Sequence, residues 1–217
     1  MNKLFAMAVL ATGLAACSDT GRDVETGEAK EVETTKTEAT LAYATVQEGS
    51  SMDWRAAHLG GVEPRFGKIF LSKAKVLLTD GRISNATAVF DMTTFTVENF
   101  DDPDVIAKLS GHLQNEDFFN VEKYPTSTFE LTGIEDIEGD FNSQITGNLT
   151  ILDSTKSITF MANVAVTETD LSINSEDFAV DRRDWGLVYN VEGSDGVPVE
   201  YIVANDIGFT INVTMTK

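Results

Sequence analysis

From residue 41 onward apolar and polar residues alternate, the repeat of a β-strand with one dry and one wet face. Ile207, Phe209, Ile211, Val213 and Met215 share one parity, while Gly208, Thr210, Asn212, Thr214 and Thr216 fill the other. The same alternation marks Phe129 and Leu131, then Ile145, Gly147, Leu149 and Ile151, then Ile158, Phe160, Ala162, Val164 and Val166. Asp80-Gly81, between the apolar stretches Val76–Leu78 and Ala86–Met92, predicts a two-residue hairpin. Short polar turns such as Ser154-Thr155-Lys156 join the other strands with no helical pattern between most of them, which favours an antiparallel meander. A closed barrel gives many half-wet strands a common interior and leaves no free edge; a two-sheet sandwich explains the alternation equally well. One stretch breaks the pattern. Asp102-Pro103-Asp104 followed by Val105, Ile106, Leu109 and Leu113 predicts a short capped helix, placed as a lid or plug.

The N-terminal residues carry neither repeat. Residues 1–16 combine Lys3, an apolar run too short to span a bilayer, and small residues before Cys17, the order of an export signal peptide. Leu14-Ala15-Ala16-Cys17 resembles the bacterial lipobox, in which the cysteine is acylated after cleavage before it; Cys17 is the single cysteine of the chain. Residues 17–40 are then a lipidated cysteine and a tether: 18–40 hold seven acids, three bases and no large aliphatic residue beyond Val24 and Val32. Such a segment buries too little apolar surface to offset its ordering entropy, and as a free coil it reaches about 25–30 Å. The expected domain is therefore 41–217, lipid-anchored in the bacterial envelope and facing the periplasm. Ser18 after the cysteine suggests the outer membrane, by analogy with enteric bacteria.

Charge narrows the partners. The 217 residues hold 16 basic and 35 acidic side chains, a net charge of -19, which repels phosphate backbones and argues against nucleic acid. One cysteine allows no internal disulfide and no thiolate metal cage, and two histidines without cysteine partners make zinc improbable.

A series of motifs adds a resemblance. Gly111-His112-Leu113-Gln114-Asn115-Glu116-Asp117-Phe118-Phe119-Asn120 with Tyr124-Pro125 and Phe129 resembles the central signature of the YceI-like family. Ile145–Ile151 followed by Thr155-Lys156, then Phe178–Gly186, and Trp54 with His58–Val62 are similar to its remaining motifs, in the right order. Asp153 departs from the glycine often found in that turn, and 190–205 reads as a variable loop. The resemblance implies an all-β, lipocalin-like, eight-stranded antiparallel β-barrel with short helical lid segments. It also implies an elongated cavity for a polyisoprenoid or similar amphiphilic lipid, such as a quinone or polyprenyl carrier. No other cofactor is implied.

Trp54, His58, Phe90, Phe119, Phe129, Phe160, Arg182, Trp185 and Phe209 are the expected ligand contacts, although each aromatic ring is also what a packed core needs. His58 shares parity with Trp54 and Ala56, so its imidazole faces a headgroup oxygen near the mouth or is satisfied by backbone. Arg182 either holds a pyrophosphate or braces a neighbouring strand; Asp181 and Arg182 point to opposite faces, so each needs its own partner, which favours the brace. His112 is expected to serve as a structural cap after the helix. No G-x-S-x-G, Walker A or HExxH motif is present, and no enzyme is expected. The rival readings are an interaction or structural lipoprotein whose barrel is filled by its own side chains, and an enzyme on a prenyl substrate resting on His58 and Arg182. The small residues Ala88, Gly147 and Ala162 lean toward a cavity.

Overall fold

A computed structural model describes residues 20–32 and 40–217. The N-terminal part holds β1 (Arg22–Asp23), β2 (Gly27–Glu28), β3 (Thr40–Tyr43) and β4 (Thr45–Val46). The barrel strands follow: β5 (Ser51–Ala56), β6 (Arg65–Thr79) and β7 (Arg82–Asp91), then helix α1 (Pro103–Gln114). After it come β8 (Thr126–Asp136), β9 (Ser143–Ile151), β10 (Ser154–Val166), β11 (Asp170–Ser175), β12 (Phe178–Asp181) and β13 (Asp206–Thr216).

Neighbour pairing runs from β5 through β6, β7, β8, β9, β10 and β11 to β13, every pair antiparallel, and β13 pairs back onto β5. This closes an eight-stranded antiparallel barrel, which settles the choice between barrel and sandwich. β12 extends the course of β11 along β13, pairing Phe178 with Phe209 and Asp181 with Asp206.

Local chemistry sets the turns. Asp80 and Gly81 adopt φ of 51° and 77°, the two left-handed residues of a hairpin whose twist matches its strands. The β9–β10 turn is Leu152-Asp153, not Ser154-Thr155-Lys156; those three residues already pair with Ile151, Thr150 and Leu149. The helix forms as its sequence predicts: the Asp102 side chain accepts from the Asp104 amide, and Pro103 opens the first turn. Ile106, Leu109 and Leu113 pack on the core, whereas Val105 faces solvent.

The expected solvated tether needs correction over 20–32. β1 lies parallel to β12, Arg22 opposite Phe178, and β2 pairs antiparallel with β10, Gly27 opposite Ser157. Between these anchors Val24 is buried in the core. Polar residues hold the segment: Arg22 donates to Glu176 at 2.9 and 2.5 Å, and the Asn148 amide bonds both the N–H and the C=O of Lys30, at 2.9 and 2.7 Å. Composition predicts a coil here because the docking surface is made of backbone and polar groups rather than apolar area. The expected leader, Cys17 and residues 33–39 of the tether lie outside the described residues.

Candidate functional site: the barrel lumen and its mouth

The inward parity of every barrel strand meets in one lumen. Met52 of β5, Val76 of β6, Phe90 of β7, Leu131 of β8, Leu149 of β9, Phe160 of β10, Ile173 of β11 and Val213 of β13 all line it, joined by Phe178 of β12. Thr87 is the one polar residue of the wall. The space open to the centre of a water-sized sphere is about 80 Å³, and the wall gives water almost no hydrogen-bond partner. Such a space suits a slender hydrocarbon and rejects polar groups.

Phenylalanine rings shape the tube. Phe129 lies 5.9 Å from Phe160, Phe160 stacks on Phe178 at 4.9 Å, and Phe178 stands 5.9 Å from Phe209. Gly147 does not add empty volume, because the Phe129 ring lies where its side chain would be. Ala88 does line the lumen, and Ala162 is buried beside it without lining it.

A second pocket of about 220 Å³ sits at one end, under α1. Trp54 and Ala56 continue the inward face of β5 from the lumen residue Met52, two residues per step. Leu109, His112 and Leu113 of α1, Phe118, and Tyr189 and Tyr201 of the 186–205 loop complete the walls. His112 belongs to the last turn of α1 rather than following it as a cap; its ring packs edge-on against Phe118 and Tyr189, both at 5.1 Å. His58 bridges to Val203 by backbone, and its Nδ1 is buried without a hydrogen-bond partner, 3.7 Å from a Glu63 carboxylate oxygen.

The expected contacts therefore separate. Phe90, Phe129 and Phe160 line the lumen, and Trp54 and His58 line the mouth. Phe119 lines neither: it packs on Phe95, itself stacked on Trp54, and its neighbour Phe118 takes the mouth position. Phe209 backs Phe178 without reaching the lumen, and Trp185 is buried where its indole donates to the Leu149 carbonyl at 3.0 Å. Phe178 was missed, although its place in the Phe178–Val180 alternation marks it as inward.

Arg182 is a correction as a ligand contact. It is buried, and its guanidinium donates to the carbonyls of Ala204, Leu187, Tyr189 and Val203 at 2.6–3.0 Å. Desolvation lowers its pKa to about 10, so it stays charged at neutral pH. Asp181 ends β12 and caps the 3-10 turn Arg182–Trp185, its carboxylate accepting from the Arg183 amide and guanidinium, so Arg182 stands in that turn and not on an opposite strand face as expected. Among the described residues no group of three or more His, Cys, Asp or Glu is arranged to hold a metal ion.

Comparison with known proteins agrees with this architecture. The profile of the YceI-like domain matches residues 43–215. A UPF0312 protein of Pseudomonas aeruginosa is 45% identical over 58 residues, 27% of this chain and 29% of the relative, so the match spans under a third of that protein. The crystal structure of BcnA from Burkholderia cenocepacia superposes with a TM-score of 0.57 at 19% identity, covering 76% of this chain and 95% of that one. A polyisoprenoid binding domain from Saccharophagus degradans gives 0.57 at 12% identity, covering 82% and 99%. At these identities the two structures are similar in fold.

Proposed function

The chain belongs to the YceI-like domain family, and from that premise we propose that it binds a polyisoprenoid or similar amphiphilic lipid in its barrel, for storage or transport. The observation that carries the reading is a lumen walled by apolar side chains from every barrel strand. Burying a prenyl chain there gains roughly 25 cal/mol per Å² of apolar surface. The structural neighbour described as a polyisoprenoid binding domain supports the same ligand class. In this reading the protein sits in the bacterial envelope, held by acyl chains on Cys17 with the barrel facing the periplasm and the outer membrane favoured; the leader-like residues 1–16 and the lipobox-like Leu14–Cys17 support it. It acts by binding rather than by catalysis: Arg182, one of two residues an enzyme would need, is spent on loop carbonyls.

The test is to produce the full chain and its Cys17→Ser variant in a bacterial host. The parent should fractionate with membranes and the variant with soluble periplasmic proteins. Organic extraction of the purified variant should yield a stoichiometric isoprenoid by mass spectrometry. The lumen's narrowness, about 80 Å³, favours a second reading, a barrel filled by its own side chains in a non-enzymatic interaction lipoprotein. Repeated failure to extract or load any lipid would select that reading.

A further inference from the structure

Among the described residues eight large apolar side chains stand exposed, and seven of them gather at one end of the barrel. Leu59 opens the 3-10 turn Leu59–Gly61, Val62 follows it, and Val199 and Tyr201 belong to the turn Val199–Tyr201. The two turns adjoin: the Leu59 amide donates to the Ile202 carbonyl at 2.9 Å, and His58 bridges to Val203. Phe66 stands near by at the start of β6, with Val105 on α1 and Val188 in the 186–205 loop. The eighth, Val166, ends β10 at the opposite end, where Leu171 pairs with Met215 near the close of β13. A single exposed valine needs no explanation. A one-sided set does, with Val62 and Val199 exposing 54% and 68% of their surface.

The docked N-terminal segment says what covers this end. Thr20 is buried against the outer wall of β13 at Gly208, two residues from the start of that strand at Asp206. Gly208 pairs with Arg55 of β5, and Arg55 with Phe66 of β6, so Gly208 and Phe66 stand about 10 Å apart across two strand spacings. Cys17 comes three residues before Thr20, a lead of at most roughly 10 Å however the chain runs. Acyl chains on Cys17 would therefore bring the apolar end of the barrel to the bilayer surface. Charge selects the lipid: Glu63 and Glu200 flank the apolar side chains, Arg65 beside them is paired with Glu63 at 2.8 Å, and the chain carries a net charge of -19, so anionic headgroups are repelled. We infer that the end bearing Leu59, Val62, Phe66, Val199 and Tyr201 is a membrane-seating surface, and that its partner is the zwitterionic bilayer in which the Cys17 acyl chains are set. This rests on the acylated-Cys17 reading above and adds which face meets the lipid. The contact is weak alone and is made effective by the high local concentration that the anchor imposes. The barrel then stands with α1 and the 186–205 loop toward the lipid and the β10–β11 turn toward the periplasm.

The experiment reconstitutes the acylated full chain in phosphatidylethanolamine–phosphatidylcholine vesicles, with a second cysteine introduced by Val199→Cys or by Val166→Cys. Acylation consumes the thiol of Cys17, the single native cysteine, so an environment-sensitive fluorophore labels the new site alone. Spin-labelled lipid should quench the fluorophore at 199 several-fold more than the one at 166. Unacylated Cys17→Ser protein should float with the same vesicles only at high lipid concentration. Val62→Asp combined with Val199→Asp should lower that partition about tenfold, the scale of withdrawing two apolar side chains from the interface, and Val166→Asp should leave it unchanged. Val62 and Val199 line neither the lumen nor the mouth pocket, so the double variant should keep the parent's thermal unfolding and its bound lipid. Equal quenching at the two sites, partition indifferent to the double variant, or tighter binding to phosphatidylglycerol vesicles overturns the seating surface while leaving the anchor standing. A mature protein that carries no acyl chain by mass spectrometry overturns the anchor, and the seating with it.

Discussion

Arg182 shows how one buried side chain organises a segment that has little structure of its own. The 186–205 loop contains one three-residue 3-10 turn, and four of its carbonyls, from Leu187, Tyr189, Val203 and Ala204, converge on one guanidinium. Each hydrogen bond to a charged donor contributes about 1.5–3 kcal/mol when the alternative is an unsatisfied buried group. Arg182→Met should therefore destabilise the protein by about 3–5 kcal/mol in denaturant unfolding, the range for breaking a buried polar network. Lysine should rescue little of it, because a point-like ammonium cannot address carbonyls spread around a planar fork. The same loop supplies Tyr189 and Tyr201 to the mouth, so lipid affinity should fall with stability. Gly147 works in the opposite sense. A methyl there would overlap the Phe129 ring and drive it inward, so Gly147→Ala should cost about 1–3 kcal/mol by overpacking. Lipid extracted per barrel should drop with it; undiminished loading would mean that the ring moves elsewhere.

At the scale of elements, the strands and helix α1 were legible because their signals are periodic: parity assigned the lumen side of Phe129 and Phe160, and Asp102-Pro103 marked the helix start. The docked segment 20–32 was not legible, and the reason is physical. Among the described residues β10 and β12 do not pair with each other; β1 pairs with β12 and β2 with β10 through backbone, and between them Val24 is the one side chain of 20–32 in the hydrophobic core. The complementary signal lies far away in sequence, at Gly208 on β13. A Cβ at that position would collide with the carbonyl and α-carbon of Thr20, so the glycine admits the segment against the wall. Gly208→Ala should displace the segment, lowering stability by about 1–3 kcal/mol. It should also expose residues 20–32 to a protease that leaves the parent intact there; resistance equal to the parent's would show that the docking tolerates the methyl. A membrane anchor at Cys17 would then hold the barrel on a far shorter lead than a free tether of about 25–30 Å gives.

Across the whole molecule, part of the acidic excess gathers where β1, β12 and β13 pair side by side. Asp206 of β13 lies opposite Asp181 of β12, with Asp23 of β1 next in the sheet and Glu192 nearby. Desolvation first, and then the charges of Asp23, Asp181 and Glu192, raise the Asp206 pKa above the ordinary carboxylate value. Asp181 is shifted down, chiefly by its hydrogen bond from Arg183. The two have opposite linkage. A carboxyl with a raised folded pKa binds its proton more tightly in the folded chain, so its ionisation costs stability above that pKa and nothing once both states are protonated. Asp181 contributes stability above the unfolded carboxylate pKa and loses it as pH falls through its depressed value. Asp206→Asn should accordingly stabilise the protein at pH 7 by about 0.5–1 kcal/mol, the scale of a partly exposed charge interaction. The gain should shrink as pH drops through the raised Asp206 pKa and vanish below the ordinary carboxylate range. Asp181→Asn should destabilise at pH 7 and converge on the parent only at lower pH, after its own depressed pKa is passed. Thermal unfolding of the two variants from neutral to acid pH separates these cases, and a gain from Asp206→Asn that persisted undiminished in acid would place its origin outside electrostatics.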